Sequence, residues 1–196
     1  LLAGKTVLVT AAAGTGIGYA TARRCAEEGA AVFLSDLHER RLHEAAEKLE
    51  RETGVRPGLQ LCDVTQQAQV DALVAAAIGA WGHIDVLVNN AGLGGYAKVV
   101  EMQDEQWAKV LDVTLTATFR MTRAVLPHMI ARKTGAIVNN ASVLGWRAQE
   151  GQSHYAAAKA GVMALTRCVA MEVAEHGVRV NAVSPGPFFS QGAADR

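Results

Sequence analysis

Short apolar runs recur along the chain and alternate with longer segments of helical periodicity. The runs are rich in β-branched residues and almost continuously apolar, which is typical of strands that are covered on both faces of a sheet. They predict strands at residues 5–10, 31–35, 59–62, 84–89, 135–140 and 178–183. The segments between them predict helices near residues 16–28, 38–52, 66–81, 103–131 and 153–176.

The regular order of strand and helix indicates the fold class. It predicts an α/β fold, a Rossmann-like, doubly wound parallel sheet with right-handed crossovers and helices on both faces. No linker, repeat or low-complexity segment divides the chain, so residues 1–196 are predicted to form a single domain. Ligands of such sheets bind beyond the carboxyl ends of the strands, and the loops at that edge are therefore the candidate functional segments.

Composition and charge exclude several other kinds of protein. The 19 Lys and Arg residues balance 19 Asp and Glu residues, which argues against a nucleic-acid or anionic-membrane partner. No apolar run approaches the ~20 residues of a membrane span and no signal peptide precedes the first strand, so we expect a cytoplasmic protein. The three cysteines and six histidines show no metal-ligand spacing, and no metal site is predicted.

Tyr155 and Lys159 stand four residues apart in an alanine-rich segment of high helix propensity. Residues i and i+4 share a helix face, so we expect the ammonium beside the phenol, where its charge lowers the phenol pKa toward the range of a general acid or base. Ser142 follows an apolar strand and is predicted to meet the same point from the sheet. This set suits a carbonyl oxygen that gains or loses a proton; the alternative is a surface pair or a core tyrosine.

The loops at the carboxyl edge carry further candidate chemistry. Residues 10–18 are small and lead into a helix, where backbone N–H groups can approach a pyrophosphate, although turns also use glycine for geometry alone. Asp36 closes the second strand, where its carboxylate either accepts hydrogen bonds from adenosine ribose hydroxyls or caps the next helix. Asp63 has the same two interpretations. Residues 89–92 build either a tight turn or a cofactor wall.

Together these motifs resemble the short-chain dehydrogenase/reductase family, from Gly4 to about Ser190. The tyrosine–lysine pair and the Asn-Ala-Gly motif at residues 90–92 are the most specific parts of the likeness. The chain looks most similar to bacterial 3-oxoacyl-thioester reductases and to relatives that act on cyclic alcohols and ketones. The resemblance implies that Ser142 holds the substrate oxygen, Tyr155 transfers the proton, and Lys159 binds the nicotinamide ribose and lowers the tyrosine pKa.

The resemblance also implies a nicotinamide dinucleotide site. Its expected residues lie in the loops at the carboxyl edge, together with the catalytic pair: Ala12, Gly14, Gly16, Ile17, Gly18, Asp36, Asp63, Val64, Asn89, Asn90, Ala91, Gly92, Tyr155, Lys159, Pro185 and Gly186. Ser190 stands where the family often places a threonine against the carboxamide. Asp36 matches the ribose-binding acid of NAD-preferring members, and Thr15 replaces the arginine of many phosphate-binding relatives, so NAD(H) is predicted in preference to NADP(H).

The chain departs from the family pattern in three places. Ala12 replaces the first motif glycine, and cofactor binding is expected to survive the extra methyl group. Thr114 replaces an asparagine that keeps a helix carbonyl free for a water of the proton relay, and its hydroxyl is expected to bond back to its own helix and supply part of that role. The substrate-covering lid, the last helix and the seventh strand are lacking, so we expect the chain to be the ordered part of a longer protein with a mobile lid.

The predicted function is an NAD(H)-dependent oxidoreductase that interconverts a secondary alcohol and a ketone. The expected small-molecule substrate is a 3-oxoacyl thioester or related keto compound; the alternative is a bulky cyclic, steroid-like alcohol or ketone or its CoA thioester. A non-catalytic nucleotide-binding sensor or scaffold is the alternative of another class. As in relatives, the helices at 103–131 and 153–176 are expected to pair subunits into a homodimer or homotetramer, through apolar residues that include Ala117, Met121 and Val169.

Overall fold

Six parallel strands form the centre of the protein, which a computed structural model describes for residues 1–187. Most of these strands are apolar on both faces, as expected for a sheet that is covered on both sides. They are β1 (Thr6–Val9), β2 (Ala31–Asp36), β3 (Gly58–Leu61), β4 (Val86–Asn89), β5 (Gly135–Asn140) and β6 (Val178–Val183). The order across the sheet is β3-β2-β1-β4-β5-β6, so the predicted doubly wound arrangement is confirmed.

Helices cover both faces of this sheet. They are α1 (Ile17–Glu27), α2 (Glu39–Thr53), α3 (Gln67–Trp81), α4 (Asp104–Leu111), α5 (Ala117–Arg132) and α6 (Ser153–Val173). Residues of α1 and α2 form one core cluster with β1 and β2, whereas α3, α5 and α6 form a second cluster that includes Leu87 and Ile137. Within residues 1–187 no helix is both long and apolar enough to cross a membrane.

The long helix predicted at residues 103–131 is interrupted. A π-helical turn at Asp112–Thr116 separates α4 from α5, although neither proline nor glycine occurs in that turn. Such turns add one residue to the helical repeat and occur often at functional sites. Thr114 lies inside the turn, and its side chain contacts the loop that follows β4.

Candidate active site

Ser142, Tyr155 and Lys159 meet beyond the carboxyl end of β5. Ser142 is the second residue after this strand, and α6 carries the tyrosine and the lysine on one face, as the four-residue spacing predicts. The Lys159 Nζ atom lies 5.5 Å from the centre of the Tyr155 ring. Both side chains line a cavity of about 260 Å³ that also contacts Asn90 and Asn140. Two hydroxyls and one amine therefore share one site.

Burial controls the titration of this site. It raises the pKa of the Tyr155 phenol, and the nearby Ser142 hydroxyl only partly opposes that shift. This rise is opposite to the predicted lowering of the Tyr155 pKa by the charge of Lys159. The Lys159 amine lies over the face of the tyrosine ring. Burial also lowers the pKa of Lys159 to about 8, because only 3% of this side chain is exposed. The phenol therefore keeps its proton at neutral pH, whereas the lysine titrates near that range.

Two asparagines connect the lysine to the glycine turn. Lys159 Nζ donates a hydrogen bond to the carbonyl oxygen of Asn140, and Asn140 Nδ2 donates to Asn90 Oδ1 at 2.9 Å. Asn90 Nδ2 in turn donates to the carbonyl oxygens of Thr10 and Ala11 at 3.1 and 3.0 Å. Asn140 was not among the site residues predicted from the sequence, whereas Thr10 belongs to the predicted pyrophosphate loop. The signal for Asn140 was present, since a pair of asparagines occurs at the carboxyl end of both β4 and β5.

Asn89 does not form part of the predicted cofactor wall. It is buried beneath the cleft, where its Nδ2 atom donates to Thr122 Oγ1 at 3.1 Å and to Asn139 Oδ1 at 2.9 Å. Consecutive residues of a strand point to opposite faces, so Asn89 faces α5 while Asn90 faces the cleft. The predicted role of Asn89 in nucleotide binding is therefore wrong, and Asn90 takes the position at the site.

The glycine turn fits a pyrophosphate group. Gly16 precedes α1 without supplying a side-chain cap, so backbone N–H groups at the positive helix end remain available. A methyl group on Gly14 or Gly16 would meet nothing within 4 Å, so the surface above the turn is open. By contrast, a methyl group on Gly18 would lie 2.4 Å from the carbonyl oxygen of Ala11, so glycine is needed where the helix approaches the turn.

Ala12, which replaces a glycine of the family motif, lies below the turn and not on its open surface. Ala12 is fully buried in the core below the turn, so its methyl group packs among apolar side chains and the predicted contact with the cofactor is wrong. Ala11 instead has the left-handed backbone that usually favours glycine, with φ of 50°. The methyl group of Ala12 therefore leaves the open surface of the turn unchanged.

Asp36 lies at the opposite end of the cleft. Its two carboxylate oxygens accept backbone hydrogen bonds from Ala13 at 3.1 Å and from His38 at 3.0 Å. His38, not Asp36, directly precedes α2, so the capping interpretation does not hold in its simple form. Burial raises the pKa of Asp36, although the Ala13 N–H and the charge of Arg41 act in the other direction. Asp36 and Arg41 line a cavity of about 400 Å³.

The same cavity brings together most of the other predicted cofactor residues. Asp63, Val64, Ala91 and Gly92 all line it, and Gly92 also lines the smaller cavity beside Tyr155. One oxygen of Asp63 is already bonded to the backbone and hydroxyl of Thr65, at 2.9 and 2.7 Å. The two cavities therefore adjoin at Gly92 and form one cleft that extends from Asp36 to Tyr155.

The segment after β6 closes the inner end of the site. The carbonyl oxygen of Pro185 accepts a hydrogen bond from the Val143 backbone at 3.1 Å, which holds this segment beside Ser142. Gly186 is exposed next to it, and Ser190 lies outside the described residues. Within residues 1–187 no group of three or more histidine, cysteine, aspartate or glutamate side chains is arranged to hold a metal ion.

Thr114 contacts the loop that follows β4 and does not bond back to its own helix as predicted. Its Oγ1 atom accepts a hydrogen bond from the Leu93 N–H at 3.0 Å and lies 3.1 Å from the Leu93 carbonyl oxygen, to which it donates. The Thr114 carbonyl oxygen accepts a hydrogen bond from Thr118 Oγ1 at 2.9 Å. Thr114 therefore fixes the start of the loop that passes over Tyr155.

A doubly wound sheet with this cleft and this set of side chains defines a nicotinamide-dependent oxidoreductase that acts on hydroxyl or keto groups. Residues 5–196 match the family model of the short-chain dehydrogenases, and the chain belongs to that family. Membership favours the enzyme over the nucleotide-binding sensor.

Two curated relatives are bacterial reductases. One, from Mycobacterium tuberculosis, is a (5R,7aS)-5-hydroxy-7a-methyl-1-oxo-2,3,5,6,7,7a-hexahydro-1H-indene-carboxyl-CoA reductase; it is 63% identical over 94% of this chain and 71% of its own length. The other is a 3-oxoacyl-(acyl-carrier-protein) reductase from Thermotoga maritima, which is 42% identical over 94% of this chain and 74% of its own length.

Solved structures of this family superpose closely on the described fold. A short-chain dehydrogenase from Mycobacterium smegmatis has a TM-score of 0.92 and 60% identity, over 95% of this chain and 78% of that one. Actinorhodin polyketide ketoreductase with NADPH has a TM-score of 0.93 and 40% identity, over 97% of this chain and 73% of that one. NAD⁺-bound xylitol dehydrogenase has a TM-score of 0.91 and 39% identity, over 94% and 71%. Both cofactors therefore occur among the structural neighbours.

Proposed function

We propose that the protein reduces a keto group on a bulky, fused-ring CoA thioester with NADH, and catalyses the reverse reaction with NAD⁺. The observation that carries this proposal is the convergence of Ser142, Tyr155 and Lys159 at one end of the cleft that begins at Asp36. The 63% identity to the indene-carboxyl-CoA reductase supports a fused-ring substrate. The 42% identity to the 3-oxoacyl reductase supports a second candidate, a linear 3-oxoacyl thioester.

The cofactor would bind along the cleft, with its pyrophosphate over the glycine turn and its adenosine ribose at Asp36. When bound, the nicotinamide supplies the hydride that the carbonyl carbon receives. Ser142 donates a hydrogen bond to the carbonyl oxygen and orients it toward Tyr155. Tyr155 then gives its phenolic proton to that oxygen, and the Lys159 ammonium stabilises the negative charge that remains on the phenol.

The raised pKa of Tyr155 favours the reducing direction at neutral pH. Because burial keeps the phenol protonated, the acid that ketone reduction needs is present without further change. Oxidation of the alcohol requires the phenolate, whose formation costs more in this buried site. We therefore expect alcohol oxidation to need a higher pH than ketone reduction.

A substrate panel tests the proposed function. Fused-ring keto-acyl-CoA thioesters, linear 3-oxoacyl-CoA thioesters, steroids and polyols would be compared by kcat/KM with each cofactor at fixed pH. The fused-ring thioesters should give the highest kcat/KM. A higher value for linear thioesters would favour the second candidate, and no turnover of any ketone or alcohol would reject the proposal.

We predict that NADH is preferred over NADPH by at least about tenfold in kcat/KM, or about 1.4 kcal/mol. Two backbone N–H groups hold the Asp36 carboxylate in place. There it would accept hydrogen bonds from the ribose hydroxyls and repel a 2′-phosphate. Asp36→Ala should weaken NADH binding and improve NADPH binding, since Arg41 lines the same cavity. Asp71→Asn, at an exposed site on α3, is the control. Equal or better kcat/KM of the parent with NADPH would contradict the prediction.

Thr114 is proposed to hold the loop above Tyr155 in place of the family's asparagine. Thr114→Val keeps the shape but leaves the N–H and carbonyl of Leu93 unpaired, so we expect the unfolding free energy to fall by about 1–3 kcal/mol and kcat/KM to decrease. Thr114→Ser, which keeps the hydroxyl, should retain most of the parental unfolding free energy and kcat/KM. Thr114→Asn should leave activity unchanged or raise it. Urea unfolding and steady-state kinetics measure the two effects. A Thr114→Val variant with the parental unfolding free energy and kcat/KM would show that Thr114 does not hold the loop above Tyr155.

Pairing of subunits through α5 and α6 is also proposed, but not through all of the residues first expected. Ala117, Met121 and Val169 pack in the core and are not available to a partner. Phe119 is instead 41% exposed beside an apolar groove between the two helices, which supports an interface at this place. Light scattering at micromolar concentration should give a dimer or tetramer, and a monomer would contradict the proposal.

A further inference from the structure

His154 is a buried side chain beside the site that the proposed reaction does not use. It is the second residue of α6 and directly precedes Tyr155. Its ring is 0% exposed, and neither Nδ1 nor Nε2 has a hydrogen-bond partner among the described residues. A phenylalanine at this position would fill similar space without burying two polar atoms. Buried polar groups without a partner lower stability, so the imidazole calls for an explanation in terms of function.

The ring supports the loop that passes over the catalytic tyrosine. We call residues 93–97 the mouth loop. A methyl group on Gly95 would lie only 3.1 Å from His154 Nε2, so the backbone of the loop runs directly over the imidazole. A methyl group on Gly94 would lie 3.8 Å from the Tyr155 ring. One short segment therefore covers both side chains.

Both ends of the mouth loop are fixed, whereas its middle is not. Leu93 is held by the two hydrogen bonds with Thr114, and the Ala97 N–H donates to the Gly151 carbonyl oxygen at 3.0 Å. Between these points Gly94 and Gly95 are exposed on the outer side of the loop. Peptide groups flanked by glycine rotate at little steric cost. The backbone over His154 is thus the part of the loop that is free to reorient.

We infer that His154 is a positioning residue for substrate binding: its Nε2 atom forms a hydrogen bond with the Gly94–Gly95 backbone when a ketone substrate contacts the mouth loop. This bond sets the distance between the loop and Tyr155, and hence the width of the space in which the carbonyl group lies. The inference rests on the proposed ketone reduction. His154 touches neither the reacting atoms nor the cofactor, so it affects the KM for the ketone and not the affinity for NADH.

Two substitutions separate the nitrogen atom from the ring volume. His154→Phe keeps a planar ring and removes both nitrogens, whereas His154→Gln places an amide nitrogen close to the position of Nε2. For His154→Phe we expect a three- to tenfold higher KM for the ketone, which corresponds to the loss of one neutral hydrogen bond. The kcat and the NADH dissociation constant should stay within about twofold of the parent, since a change of that size is below the contribution of one hydrogen bond. His154→Gln should restore most of the parental KM.

Stability and NMR measurements distinguish this role from plain packing. His154→Phe should unfold at the same or a higher temperature than the parent, because it removes two unpaired buried polar atoms; a purely structural histidine would lose stability on substitution. In the side-chain ¹⁵N spectrum, the Nε2 resonance of His154 should shift when the alcohol product is added to the NADH-bound protein. The His154→Gln spectrum assigns that resonance among the six histidines.

Each result has a defined meaning. A parental KM in His154→Phe, an equal loss in Phe and Gln, or an unchanged Nε2 resonance would overturn the inference and leave the ketone reductase activity of the parent intact. A parent that reduces no ketone in the substrate panel would overturn the proposed function and this inference together. A raised KM in Phe, its recovery in Gln and the shifted resonance would establish the positioning role.

Discussion

Tyr155→Phe is expected to lower kcat for ketone reduction by about 10²–10⁴-fold, the range that general acid–base catalysis typically contributes. The substitution keeps the ring, so its packing beside Lys159 should persist. It removes the only proton that the proposed mechanism transfers to the carbonyl oxygen. NADH binding and thermal unfolding should therefore remain close to the parental values, and the loss should appear in the chemical step alone.

Tyr19→Phe is the matched control for this result. Tyr19 lies on α1, where its hydroxyl donates a hydrogen bond to Glu52 at 2.8 Å, and it has no role in the proposed reaction. Its kcat should stay within a few-fold of the parent. Single-turnover measurements with saturating NADH would separate chemistry from product release. If Tyr155→Phe also turned over within a few-fold of the parent, the proton would come from another group and the roles proposed for Ser142, Tyr155 and Lys159 would be wrong.

Lys159→Met is expected to affect cofactor binding and chemistry together. The side chain is 3% exposed and donates to Asn140, so methionine fills the space but removes both the charge and this hydrogen bond. We expect a weaker NADH complex and a fall in kcat of about 10²-fold or more, since the charge stabilises the deprotonated phenol. Lys5→Met, at an exposed site before β1, is the control. A variant with parental NADH affinity would show that Lys159 does not bind the cofactor.

Lys159→Met should also change the way in which the unfolding free energy depends on pH. The pKa of Lys159 is about 8 in the folded protein, compared with 10.5 for an ordinary lysine side chain, which is the value expected in the unfolded chain. Below pH 8 the folded protein therefore buries a charged ammonium, and this burial lowers the unfolding free energy. Between these two values the unfolded chain binds a proton that the folded protein lacks, and the unfolding free energy should rise with pH by up to about 3 kcal/mol. Urea unfolding would be measured from about pH 7.5 to about pH 10.5, a range that covers both pKa values. The unfolding free energy should rise over this range in the parent and not in Lys159→Met.

The strands and the doubly wound, parallel arrangement of the sheet could be predicted from the sequence because a buried parallel sheet leaves a strong pattern. Strands that are covered on both faces are continuous apolar runs, and residues 135–140 and 178–183 were predicted with the bounds that β5 and β6 have. The position of the cleft followed from the same argument, since every ligand-binding loop of such a sheet leaves the carboxyl edge.

What could not be predicted depends on tertiary contacts. The π-helical turn at Asp112–Thr116 contains no helix breaker, and its threonine bonds to Leu93, which is far away in the sequence. Likewise, the sequence does not show which of Asn89 and Asn90 faces the cleft, because this depends on the phase of the strand against the sheet. The burial that raises the pKa of Tyr155 is also a property of the packed fold, and the spacing of Tyr155 and Lys159 in the sequence does not reveal it.

The connection from Lys159 through Asn140 and Asn90 to Ala11 consists of carboxamides and backbone carbonyls. A side-chain carboxamide neither gains nor loses a proton between mild acid and mild alkali, in contrast to a carboxylate or an imidazole. The framework that spaces the amine from the phosphate end of the cleft is thus electrically neutral and insensitive to buffer acidity. This framework therefore adds no inflection of its own to a plot of kcat/KM against pH, which reports only on the titrating groups that it holds apart.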